Sequence, residues 1–134
     1  MATAIDAAVD KFRSGDKESA FFELVELPGD VLPVIIDVFR GESRPDVRAF
    51  LVKAAWQRRE QTVIPFLAEA LTNDAEEVWQ EALDGLVTLS SQESLEVLQS
   101  ARSRKFGNET AAKRFKLWLE EAIQQVEFEL RNKT

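Results

Sequence analysis

The chain has 134 residues, 45% hydrophobic and 31% charged, with a formal net charge of −7, the profile of one ordinary globular domain. It contains no cysteine and no histidine, which removes disulfides, thiolate nucleophiles, Cys- or His-based metal centres and the commonest general base. The negative charge argues against a nucleic-acid binder, which carries a basic face. No run of about 18 apolar residues is present to span a membrane.

Met1-Ala2-Thr3-Ala4-Ile5-Asp6 has neither a basic n-region nor a long apolar run, so it does not read as a signal peptide and a cytoplasmic location is expected. Helical periodicity then predicts eight helices, at about 3–13, 16–27, 30–40, 45–58, 62–72, 75–89, 92–103 and 109–131. Gly15, Gly29, Gly41 and Gly107, with Pro28 and Pro45, fall where the periodicity breaks, as helix-ending residues should. Val47, Leu51, Ala54 and Ala55 form one i, i+4, i+7, i+8 stripe, and Val78, Ala82, Gly85 and Leu86 form another. Ser43 with Asp46, Asp74 with Glu77, and Ser90 with Glu93 have capping-box-like spacing. Alternation of β-branched residues is nowhere sustained, so no strand is predicted. The connections are only a few residues long, which makes consecutive helices antiparallel neighbours.

The helices repeat at a period near 31 residues. Val31-Leu-Pro-Val-Ile-Ile answers Val63-Ile-Pro-Phe-Leu, with Pro33 matching Pro65, and Asp46-Val47-Arg48 answers Glu77-Val78-Trp79. Two helices per period imply a solenoid of helical hairpins, because one pair cannot bury both of its faces. The expected architecture is all-α, a right-handed solenoid of about four antiparallel helix pairs in a single domain. Residues 1–29 serve as a capping pair, 30–60, 61–91 and 92–131 as repeats, and the last repeat ends in a long capping helix.

Asp46-Val47-Arg48 followed by Ala54 and Ala55 resembles the second helix of a HEAT repeat, and Asp74-Ala-Glu-Glu-Val78 with Ala82, Gly85 and Leu86 resembles the next copy. The first-helix prolines fit the same family, and the similarity covers residues 30–100. Trp79 stands where that family usually has arginine, and Arg58 where it usually has an apolar residue. The resemblance implies a protein-binding surface made by the second helices, here 45–58 and 75–89. Mapped onto this chain, the outward partner-binding candidates are Lys53, Trp56, Gln57, Trp79, Gln80, Glu81 and Asp84. Tryptophan supplies hot-spot energy at such surfaces.

No chemistry-bearing constellation emerges. Glu76/Glu77 and Glu120/Glu121 are adjacent on helices, so their side chains point about 100° apart rather than into one cleft. No calcium loop or glycine-rich phosphate loop occurs, and Ser90-Ser91 reads as a helix cap. Gly85 inside a helix implies a close neighbour, and Trp118, beside Phe115 and Leu119, is expected to be buried. Residues 31–60 carry six basic and four acidic side chains, whereas 61–91 carry six acidic and no basic ones. The basic cluster Arg40, Arg44, Arg48, Lys53, Arg58 and Arg59 is expected to pair within the molecule, Lys53 with Asp84 in particular. The leading expectation is a non-catalytic protein-interaction module without cofactor or metal, its partner another protein, a basic one by charge. The alternative is an immunity-type inhibitor that masks a basic toxin or nuclease. HEAT-like hydroxylases are excluded by the missing histidines, which leaves a HEAT-like lyase as the enzymatic alternative.

Overall fold

Proline and short polar side chains set many of the helix ends. Pro33, Pro45 and Pro65 each occupy the first or second position of a helix, where their missing N–H costs nothing and their fixed φ suits the first turn. Asn108 accepts a hydrogen bond from the Ala111 N–H at 3.0 Å, and Ser91 accepts one from Ser94 at 3.1 Å, side-chain caps of the usual kind. Between these stops the apolar residues recur at helical spacing. The computed structural model describes residues 2–133. Among them are helices α1 (Ala2–Arg13), α2 (Lys17–Val25), α3 (Leu32–Gly41), α4 (Pro45–Trp56), α5 (Ile64–Ala70), α6 (Glu76–Leu89), α7 (Gln92–Ser100) and α8 (Glu109–Asn132). Gln61–Val63 and Ala101–Ser103 form 3-10 turns, and no strand occurs among the described residues. None of these helices is long and apolar enough to cross a membrane.

The all-α class and the eight helices follow the periodicity, while the caps shift. Ser43 does not cap α4: Arg44 is the N-cap residue, without a side-chain cap bond. Instead Glu42 reaches forward, its carboxylate accepting the N–H groups of Ser43 at 3.1 Å and Arg44 at 3.0 Å. Asp74 gives way to Asn73, whose side chain accepts the Ala75 N–H at 2.9 Å. Ser90 is the C-cap of α6 in the left-handed region (φ 44), and Ser91 takes the N-cap of α7.

The chain divides into two compact units, one ending at Arg58 and the other starting at Arg59. In the first, α4 packs against α1, α2 and α3. The core holds Ile5, Val9, Leu24, Ile35, Val47 and Leu51, and the rings of Phe12 and Phe50 stack at 4.5 Å. In the second, α6 packs against α5, α7 and α8, over Leu67, Val78, Leu86, Leu98, Leu119 and Ile123. Gly85 is buried on α6, the placement its mid-helix position implied.

Among the described residues, Arg59 (φ 56) and Ser90 (φ 44) are the non-glycine residues with positive φ, and each lies just beyond or at the end of a long helix, 31 positions apart in the sequence. A left-handed residue with a Cβ is strained by about 1–2 kcal/mol. Arg59 is exposed, so Arg59→Gly relieves that strain against the larger unfolded-state entropy of glycine. The expected gain is about 0.5–1 kcal/mol, read as a higher urea midpoint; a lower midpoint would show that the turn is relaxed with arginine.

Candidate functional site

On α4 the apolar arc is wide because three helices press on it. Val47, Phe50, Leu51, Val52, Ala54, Ala55 and Trp56 are all buried. Of the partner-binding candidates here, only Lys53 is exposed and Gln57 half-buried. Trp56, expected outward, is 9% exposed. The Lys53 ammonium lies 5.0 Å from the centroid of the Phe21 ring, a cation–π contact between α4 and α2.

The same geometry governs α6. Val78, Trp79, Ala82, Leu83, Gly85, Leu86 and Leu89 are buried, an arc too broad for one apolar stripe. Trp79, also expected outward, is 3% exposed. Its ring meets Phe115 edge-on at 5.1 Å and Trp118 at 6.5 Å, the T-shaped geometry that aromatic quadrupoles favour. Trp118 takes the opposite correction. Expected inside, it is 39% exposed, because it stands at the edge of the α8 face formed by Phe115, Leu119, Ala122, Ile123 and Val126. The exposed arc of α6 is left to Glu77, Gln80, Glu81, Asp84 and Thr88, with Glu77 and Asp84 the more open and Gln80 and Glu81 half-buried. Their i, i+3/4, i+7, i+11 spacing puts them on one stripe. Three carboxylates share it, and α6 carries no lysine or arginine.

Two arginines act as internal clamps. Arg58 donates to the carbonyls of Gly29 at 2.6 Å and of Val25 and Leu27, closing the end of α2. Arg104 donates to the carbonyls of Leu71 and Asn73, closing the end of α5. Each guanidinium reaches back 31 and 33 residues, so the same device recurs with the period of the sequence repeat. It satisfies carbonyls that a helix end leaves without partners. Arg58 thus gains a reason for standing where an apolar residue is usual. The Arg104 side chain is 12% exposed, and its guanidinium lies over both Phe106 (4.2 Å) and Phe115 (4.9 Å). Burial lowers its pKa, with Asp74 opposing. Elsewhere in the basic cluster, Arg44 pairs in a fork with Asp46 at 3.0 and 2.7 Å, and Arg48 lies 5.0 Å over the Phe39 ring.

A second basic segment escapes a reading by composition blocks. Residues 101–116 carry Arg102, Arg104, Lys105, Lys113, Arg114 and Lys116 against Glu109 alone. The turn around Gly107 splits it into two triplets that look unremarkable apart. The structure brings members of both to a groove of about 500 Å³ between the Ala101–Ser103 turn and α8. Ala101, Phe106, Ala112, Phe115 and Leu119 supply its apolar wall, and Arg102, Arg104, Lys116 and Glu120 its charges. Arg102 and Glu120 form a two-bond ion pair, both at 2.9 Å. The hydrogen bond from Arg102 holds the Glu120 carboxyl below the usual carboxylate range. Among the described residues, no three acidic side chains converge as a metal ion would require.

A family model described as HEAT repeats matches residues 32–113. No curated protein and no solved structure matches the chain.

Proposed function

Because the chain belongs to the HEAT-repeat family, we propose that it is a non-catalytic protein-binding module whose partner is a basic protein. The observation that carries the choice of surface is the α6 stripe. Exposed Glu77 and Asp84 and half-buried Glu81 share one stripe of that helix. Gln80 adds an amide that both donates and accepts. In the first unit, exposed Lys53 on α4 and half-buried Gln57 just beyond that helix are proposed as a partner contact of their own; Trp56 and Trp79 are buried rather than anchors. With no aromatic anchor on the stripe, charge governs encounter rate and partner choice.

The test is capture of a partner from the native host by wild-type chain and by Glu77→Lys/Glu81→Lys/Asp84→Lys. Wild type is expected to retain a basic protein that the reversed variant releases, with association slowed by roughly tenfold or more and by added salt in the same direction. Equal capture by both would sink the α6 assignment. The narrower reading, an inhibitor that masks a toxin or nuclease, rests on the same stripe. It requires in addition that the captured protein lose its activity when bound.

A further inference from the structure

We infer that the groove between the Ala101–Ser103 turn and α8 is a second docking site, which takes a peptide segment bearing a bulky apolar side chain beside carboxylates. The inference rests on the protein-binding reading above and adds a site of opposite charge to it. Size comes first: about 500 Å³ lies within the range of pockets that enclose a small ligand or one large side chain. The wall is apolar where Phe106, Phe115 and Leu119 meet, and the two rings stand 5.1 Å apart at a tilt of 49°. Charge selects the rest. Arg102 and Glu120 neutralise one another in their ion pair. Arg104, which also faces the solvent-exposed Asp74 carboxylate at 3.8 Å, and exposed Lys116 are the other cations of the groove, a positive spot on a chain of net charge −7.

Arg104 cannot swing away to meet solvent, because carbonyls of Leu71 and Asn73 and two rings hold it. A positive charge held in the wall of an apolar groove attracts a carboxylate without first being ordered, while exposed Lys116 supplies the cation with free donors. A nucleic acid fits less well. Its backbone must extend beyond the groove, and although Lys105, Lys113 and Arg114 lie in the same segment, the chain's net charge of −7 would repel it.

A random peptide library displayed on phage, selected on the full chain, tests this. Recovered peptides are expected to pair Asp or Glu with Phe, Leu or Ile. They are expected to bind Phe106→Ala and Lys116→Glu at least about tenfold more weakly, the size of a lost interface anchor or close charge. Lys116 is exposed, so Lys116→Glu keeps the test standing if Phe106→Ala fails to fold. A pool without that composition, undiminished binding to Lys116→Glu, or displacement of the peptide by a single-stranded oligonucleotide at lower concentration would each overturn the inference. Glu77→Lys/Glu81→Lys/Asp84→Lys separates the two sites. Peptide affinity kept in that variant supports the groove whatever happens to the basic partner. Partner capture lost there, with no groove peptides recovered, defeats the groove alone.

Discussion

Arg104→Met is expected to destabilise the protein by about 3 kcal/mol, the value of a pair of charge-assisted hydrogen bonds together with the carbonyls they leave unsatisfied. The guanidinium fork holds the Leu71 and Asn73 carbonyls just beyond the end of α5. With the side chain 12% exposed, water has little access to replace it. Loss of the stacks on Phe106 and Phe115 adds to the cost. Lysine should not rescue, because a point charge with rotating donors does not reproduce a planar fork that reaches two carbonyls at once. Arg58→Met, on the matching clamp over Val25, Leu27 and Gly29, should cost less, about 2 kcal/mol, since one of its contacts is exposed. Chemical denaturation checks both, and an unchanged midpoint for Arg104→Met would show that solvent caps α5 equally well.

Trp79→Ala should be the most damaging single substitution, costing about 3–5 kcal/mol by the combined loss of buried area and the cavity left behind. That is a large share of the roughly 5–15 kcal/mol that holds a domain folded. Trp118→Ala, at a residue 39% exposed, should cost about 1 kcal/mol, chiefly the edge-on contact with Trp79. The three tryptophans should then separate in fluorescence. Iodide should quench one component, and Trp118→Phe should abolish it. A Trp79→Ala protein that keeps its midpoint, or quenching that survives Trp118→Phe, would contradict the burial of Trp79.

These two residues also show where a sequence stops speaking. Helix existence was legible because apolar spacing, prolines and glycines agreed at each element, and the HEAT resemblance over 30–100 falls within the matched segment apart from its first two residues. Radial position was not legible for the tryptophans. The neighbours of Trp79 in sequence, Gln80 and Glu81, are polar, yet α6 is pressed by α5, α7 and α8 together, so two adjacent helical positions, Val78 and Trp79, are both buried. How many helices touch a face is a tertiary fact. Trp118 fails for the converse reason: its neighbours Phe115 and Leu119 are core, but it stands one step off their stripe. The cap of α4 moved because Pro45 has no N–H to give a capping Ser43, and Glu42 instead takes the N–H groups of Ser43 and Arg44. The groove was missed because its cations belong to two triplets that only the fold brings together.

The candidate surface was legible in part. Lys53, Gln57, Gln80, Glu81 and Asp84 keep some exposure, while the two aromatic anchors do not. What remains on α6 is a carboxylate stripe, and the proposed recruitment of a partner there works by charge rather than by a hot-spot ring. The most direct measurement is a chemical-shift map of the isotope-labelled chain in complex with the basic protein proposed as its partner. The largest shifts are expected at the backbone amides of Glu77, Gln80, Glu81 and Asp84. Shifts confined to α1, α2 or the outer face of α8, with those amides unmoved, would contradict that expectation.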